Sequence, residues 1–532
     1  MSTEGNLASR FGKLLDYILP DIDINQSQNL NANESQVVSS LNQILLEVDG
    51  KNSIDAATSI QRSLLSYVES SETTYVNDLR RTAGGEIYEP ANLDDDVKDH
   101  IARLARDFYP VFLLPQVTGY GLPYTVDPTP MLRHPVNQML MRATLMDDAL
   151  VRLFPQARSN FPESDTDLRS ISSHIVSSTG KAEGLPLALL ADRVLKNAYE
   201  RILLSDLNDV HSYIESAVGL INEIRTLATG KSVNVPVVAG LGNIDFDTDL
   251  PLEVSGIKIS RADTVGSSRL ISIQVPISIE VSTTTPFRLL SVKSAMQIDA
   301  ASQHAELSKH QSTTLAADKA LQRHIDTIRF GLLLASDKLP YFTAQQGMTR
   351  IFEPLSDVAM ASMPRYTPPS SPQTVINSDS FESIIFWLTR TLNHPAKLDT
   401  AMRRLLAAAT ARADPLDGLI DAVLAWESMF SGTPETNLRV CGAMSHLIEP
   451  SSFTARKELF RELKTIYTVR SQLVHGSTEP NVEEASRLRD RAVELGLVAT
   501  RKLYNYPTLY NLDSSARGSE IILGAIQEMT DL

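Results

Sequence analysis

A chain of 532 residues is long enough for roughly two to four domains, each with an ample core. Its 42% hydrophobic and 21% charged residues are those of a globular protein, and its longest apolar runs, "LPLALLA" and "FGLLLA", fall far short of the ~18 residues that span a bilayer. A net charge of −15 argues against non-specific coating of nucleic acid, and the single cysteine, Cys441, excludes an intrachain disulfide and any multi-cysteine metal site.

The start, "MSTEGNLASRFGKLL", carries no signal-peptide apolar block, so a cytoplasmic protein with no membrane partner is expected. Residues 1 to 230 read as mainly helical. "SQVVSSLNQILLEV" (35–48), "DAATSIQRSLLSYVES" (55–70) and "DDVKDHIARLARDFYPVFLL" (95–114) place apolar residues three and four apart. "PQVTGYGLPYTVDPTPMLRHP" (115–135) is rich in Pro and Gly and reads as an irregular connection. A helix pair follows within 184–229. From 231 to about 300 the pattern changes to Val- and Ile-rich runs, of which "RLISIQVPISIEV" alternates, and this stretch reads as a small β-rich insert.

Helix returns near Leu315, and residues 301 to 532 read as a helical bundle interrupted by a mobile Pro/Ser loop, "MPRYTPPSSPQT" (363–374). The fold class expected is therefore mainly α: a helical N-terminal region, a small β-rich insert and a C-terminal bundle. The acidity is uneven. Residues 396 to 502 hold 15 Lys and Arg against 14 Asp and Glu, so the rest of the chain carries −16, and a local basic site can sit within this near-neutral stretch.

Several short patterns lead nowhere. "ATGKSV" (228–233) has the Gly-Lys-Ser of a phosphate-binding loop, but Arg225 stands where its first glycine belongs. Asp245, Asp247 and Asp249 alternate as in some calcium loops, but Leu250 occupies the glycine position, so a solvated turn is expected. His304, His310 and His324 are spaced too irregularly for one metal site and read as surface residues; no metal and no cofactor is expected.

The stretch "IYTVRSQLVHGS" (466–477) is different. Its helix should start after Ser452, a suitable N-cap, and bury Phe460, Leu463, Ile466, Tyr467 and Val474. Arg470 falls on the same stripe, where a charge is costly unless it meets a partner or a cleft. Gly476 should end the helix in the left-handed conformation, leaving His475 in the last turn, where the helix dipole favours a charged imidazole. Arg470 and His475 are ~140° apart around the axis, so they could edge one cleft without stacking. A histidine that moves protons and an arginine fork that binds phosphate could together support metal-free attack of a ribose 2′-hydroxyl on its own phosphate. The plainer alternative is that Arg470 pairs with an acid on a neighbouring helix and His475 merely caps.

The wider segment resembles the C-terminal domain of the HEPN superfamily, in particular its Apea-like branch. The anchors are Trp426 and Glu427 with Met429 and Phe430 behind them, the turn "SGTPET", the helix opening "NLRVCGAM", and a long helix ending in Tyr467, Arg470, Ser471, His475 and Gly476. The family motif is an arginine, a polar residue and, after four to six intervening residues, a histidine. Here four residues intervene, and serine stands where the family more often has Asn, Asp or His. The resemblance implies a HEPN-like bundle of about five helices that often dimerises, with two motifs forming one cleft. It further implies a metal-independent endoribonuclease of a defence or toxin-type system. Arg470, Ser471 and His475 would be the catalytic residues and RNA the substrate. The alternative is a non-catalytic RNA-binding or assembly module. Residues 1 to 230 would then sense a trigger ligand or protein, or restrain the nuclease.

Overall fold

The computed structural model describes residues 3–20, 30–115, 126–159, 162, 164–205, 207, 209–249, 251–262, 278–297, 300–336, 345–356, 360–362, 374–432, 435–476 and 479–526. The fold is mainly α with several small sheets. The chain divides into two compact units that interleave in sequence. One comprises Met1–Val237, Thr284–Asp318 and Arg350–Met360, the other Val238–Thr283, Lys319–Thr349 and Ala361–Leu532.

In the first unit the periodic segments form helices. Ala32–Glu47 opens on a capping box, in which the Asn31 side chain accepts from Glu34 N and Glu34 accepts from Asn31 N. Asp96–Phe108 is capped by Asp95 and packs on Pro135–Met146 and Val210–Ala228. Arg225 of the last of these pairs with Asp95 at 2.6 Å and Asp147 at 2.7 Å. Ile101, Leu104, Leu140, Tyr213 and Ile221 fill the centre of this core.

Two stretches expected to be helical are strands. The helix expected over 55–70 stops at Leu64, and Tyr67–Val68 pairs antiparallel with Thr73–Thr74. Ser172–Ser177 and Ala182–Pro186 form a hairpin, turned by Gly180 at φ 87°, and Leu289–Ser294 completes a three-stranded antiparallel sheet. Thr179 of that turn donates to Glu353, which is 2% exposed, and Lys181 lies beside both Glu183 and Ser356.

"ATGKSV" joins the Val210–Ala228 helix to the Val233–Gly242 strand through Gly230 at φ 80°, the reverse of the strand-to-helix order that a phosphate loop needs. Of the 115–135 segment, 116–125 lie outside the described residues, and Thr129–Arg133 is a short helix. His304 is exposed, and His310 and His324 are half-buried.

The second unit contains the antiparallel strands Leu252–Val254, Ile257–Arg261 and Ile279–Phe287, the last of which runs on into the first unit, and a parallel pairing of Ile244–Phe246 with Thr374–Ile376. Arg261 neutralises Asp245 and Asp249, while Asp247 accepts from Ser378 N, so the aspartate run is spent on local contacts. The Pro/Ser loop falls outside the described residues over 363–373. No helix among the described residues is long and apolar enough to cross a membrane.

The C-terminal helices share one core. Pro415–Phe430 is central, packed on Val482–Leu503, Asp399–Leu406 and Thr436–Ile448. Trp426 is fully buried and its Nε1 donates to Ala492 O at 3.1 Å. Gly496 permits the close approach, since a Cβ there would meet Leu405 Cδ2 at 2.7 Å and Trp426 Nε1 at 3.1 Å. Cys441 is also fully buried, and burial pushes its thiol up to about 12. Arg517, fully buried on Ser514–Ile522, donates to the carbonyls of Leu509, Met429, Tyr510 and Leu512 at 2.6–3.0 Å, tying the last described helix to the core.

Candidate functional site

The motif lies on the helix Phe453–Val474. The Ser452 hydroxyl accepts from Ala455 N and starts it, and Gly476 at φ 69° ends it. The helix packs chiefly on Thr436–Ile448 and also on Pro415–Phe430 and Val482–Leu503. Leu459, Leu463, Ile466 and Tyr467 are its buried face. Two members of the expected stripe differ. Phe460 is half-buried, and Val474 is 54% exposed because the last turn runs past the packed face.

Arg470 has a partner that the stripe demanded. Its Nη2 donates to Glu427 Oε2 at 3.2 Å, from the C-terminal end of the Pro415–Phe430 helix. The Tyr467 hydroxyl donates to the other oxygen of the same carboxylate, and the Arg470 guanidinium carbon lies 6.0 Å from the Tyr467 ring centre. Burial, with the Glu427 carboxylate beside it, raises the Tyr467 phenol well above its ordinary range, so this hydroxyl stays protonated and keeps donating. Arg470 is 16% exposed at its side chain and Glu427 18%, so the pair sits at the mouth of the packed region. The Arg470 Nε is buried with no hydrogen-bond partner, so the fork is only partly engaged.

His475 is the C-cap residue and is exposed; its backbone N–H donates to Ser471 O at 3.1 Å. Among the described residues the structure gives neither the His475 ring nor the Ser471 hydroxyl a hydrogen bond to Arg470. The structure thus brings Arg470 together with Tyr467 and Glu427, while Ser471 follows Arg470 directly in the helix and His475 stands at its end, neither side chain hydrogen-bonded to Arg470 among the described residues. Glu427 is the residue that spacing along the motif helix could not supply. It lies 43 positions upstream; the sequence marked it as an anchor of the resemblance, and a stripe arginine requires a counter-charge, but neither signal paired the two.

A cavity of about 780 Å³ opens elsewhere in this unit, along the first half of the motif helix. Leu438, Phe453, Phe460 and Leu523 line it, with Arg439 and Arg456 among them. None of Arg470, Ser471 and His475 borders it. No family model, curated protein or solved structure matches the chain.

Proposed function

We propose that the chain is a metal-independent endoribonuclease of a defence or toxin-type system, with its site at the end of the motif helix. His475 moves protons to and from the ribose 2′-hydroxyl and the leaving oxygen, and Arg470 stabilises charge on the phosphorane. The observation that carries this reading is Arg470, braced by Glu427 and still 16% exposed at its side chain, about one and a half turns before an exposed His475 on the same helix end. Ser471 stands between them in the chain and offers a hydroxyl for a phosphate oxygen. Two facing copies would bring two arginines and two histidines into one cleft, so the active form on this reading is at least a dimer.

A second reading is favoured by the Arg470–Glu427 ion pair itself. A guanidinium already neutralised by a carboxylate is also what a non-catalytic RNA-binding or assembly module would carry. Incubating the full chain and its His475→Ala variant with RNA in the presence of EDTA separates the two. The ribonuclease reading expects cleavage by the wild type alone, leaving 2′,3′-cyclic phosphate ends. Activity that vanishes with EDTA and returns with magnesium would overturn the mechanism, and binding without cleavage would favour the module.

A further inference from the structure

We propose that the exposed face of the motif helix is a track for the phosphates of single-stranded RNA, running from its first turns to His475. The endpoint and the choice of RNA over another polyanion rest on the ribonuclease reading; the cationic stripe itself does not. Lys457, Arg461, Lys464, Thr468, Ser471 and His475 follow one another at steps of four, three, four, three and four residues. At ~100° per residue they fall within a stripe about 80° wide, and at 1.5 Å per residue the stripe is ~27 Å long. All are exposed except Ser471, which is half-buried. No acidic residue interrupts the stripe: Glu458 and Glu462 lie on the flank, and Glu462 is held by Arg491 at 2.8 Å.

The charges on this face are unspent. Several cations elsewhere in the unit meet carboxylates, Arg323 with Asp399, Arg404 and Arg412 with Asp421, Arg491 with Glu462 and Glu494, and others such as Arg501, Lys502 and Arg517 meet backbone carbonyls. Among the described residues the structure gives the Lys457, Arg461 and Lys464 head groups no ion pair. Three aligned, unneutralised cations in a chain of net charge −15 fit a polyanion that must be led to one place rather than bound everywhere. A length of ~27 Å matches roughly eight stacked nucleotides at ~3.4 Å each, and the strand delivers one of its phosphates to the turn that carries His475. Single-stranded RNA is the occupant, because the proposed chemistry needs a 2′-hydroxyl free to swing in line with its own phosphate.

The test uses the full chain carrying His475→Ala, so that RNA is bound but not cut, and a labelled 12-nucleotide oligouridylate. Adding Lys457→Gln, Arg461→Gln and Lys464→Gln together should weaken binding by roughly ten- to a hundredfold at moderate salt. It should also lower the slope of log affinity against log salt by about 2, at ~0.7 for each phosphate no longer neutralised. Glutamine keeps helix propensity, and circular dichroism checks that the fold is retained. A control with Lys51, Lys231 and Lys319 changed to glutamine, all exposed elsewhere, should leave the slope unaltered. An unchanged slope in the first variant, or an equal loss in the control, overturns the track. So does a poly-glutamate of equal charge that competes as well as the RNA. Wild-type cleavage of the same oligonucleotide reports on the nuclease separately. If the track slope is present and cleavage never occurs, the track stands and the ribonuclease reading falls; no binding by any form overturns both.

Discussion

Glu427 serves two groups of the motif helix at once, accepting from the Tyr467 hydroxyl and from Arg470. Glu427→Gln keeps an acceptor for the phenol but removes the counter-charge from a mostly buried guanidinium. We expect a loss of about 1–2 kcal/mol in urea unfolding, with Arg470→Met in the same background recovering part of it. If the single change is neutral, the brace contributes nothing. Glu353 gives a pH-dependent counterpart. Burial pushes its carboxyl up from 4.5 to about 7, against the opposing pull of Thr179 and Lys181 and with Glu183 adding to the rise. A raised folded-state pKa means that the fold holds the proton more tightly than the unfolded chain does. The penalty is therefore absent below about pH 4.5, grows up to about pH 7 and stays constant above it. Glu353→Gln should match the wild type at pH 4.5 and exceed it at pH 8 by on the order of 3 kcal/mol, read by urea unfolding at the two pH values. Equal stabilities at pH 8 would show that the carboxyl ionises without cost. At this scale the sequence revealed what is local. Ser452 and Gly476 bound the motif helix because caps act within a turn, whereas the partner of Arg470 comes from a different helix and only the fold could name it.

Among the elements, long amphipathic helices were the most legible, because a period of 3.6 residues repeated over several turns is hard to produce otherwise. Short strands were not. "SSHIVSSTGKAEGLP" (172–186) has Ile175, Val176 and a Thr-Gly turn, but "GLPLALLADRVL", which begins inside the second strand, carries a strong helical pattern that masks its end. A two-residue strand such as Tyr67–Val68 has no period at all. The terminal helix Ser514–Ile522 depends on packing that composition does not suggest. Arg517 reaches four carbonyls from its base, and a Cβ at Gly518 would stand 2.7 Å from Phe430 O, a backbone atom with no room to yield. Arg517→Ala should cost at least ~3 kcal/mol by leaving those carbonyls unpaired, and Arg517→Lys should not rescue it, since an ammonium cannot span the four. Thermal unfolding with near-native stability in the lysine variant would show that charge alone suffices.

For the whole molecule, the interleaved units carry consequences that a linear division misses. Leu289–Ser294 pairs with Ser172–Ser177 across more than a hundred residues, so the first unit is not contained in residues 1 to 230. A fragment ending at 230 should show early exchange of the Ser172–Ser177 amides, while the same strand in the full chain is protected. Equal protection in both would mean that the hairpin holds alone. Assembly is a separate question at this scale. Mixing Arg470→Ala and His475→Ala chains, each inactive by itself, should restore some RNA cleavage if one cleft draws on two copies. A chain that light scattering shows to be monomeric and that cleaves far below any self-association would end the dimer proposal.

Cys441 turns the bundle into its own stopwatch. It is the one thiol in 532 residues, it is fully enclosed, and little of it is thiolate near neutral pH. A disulfide reagent added to the native protein therefore finds no target until the Thr436–Ile448 helix moves away from its neighbours. The rate of colour release then counts those openings, with nothing else in the chain to contribute. Because that helix is the main support of the motif helix, the same clock run with and without RNA would test whether RNA slows those openings.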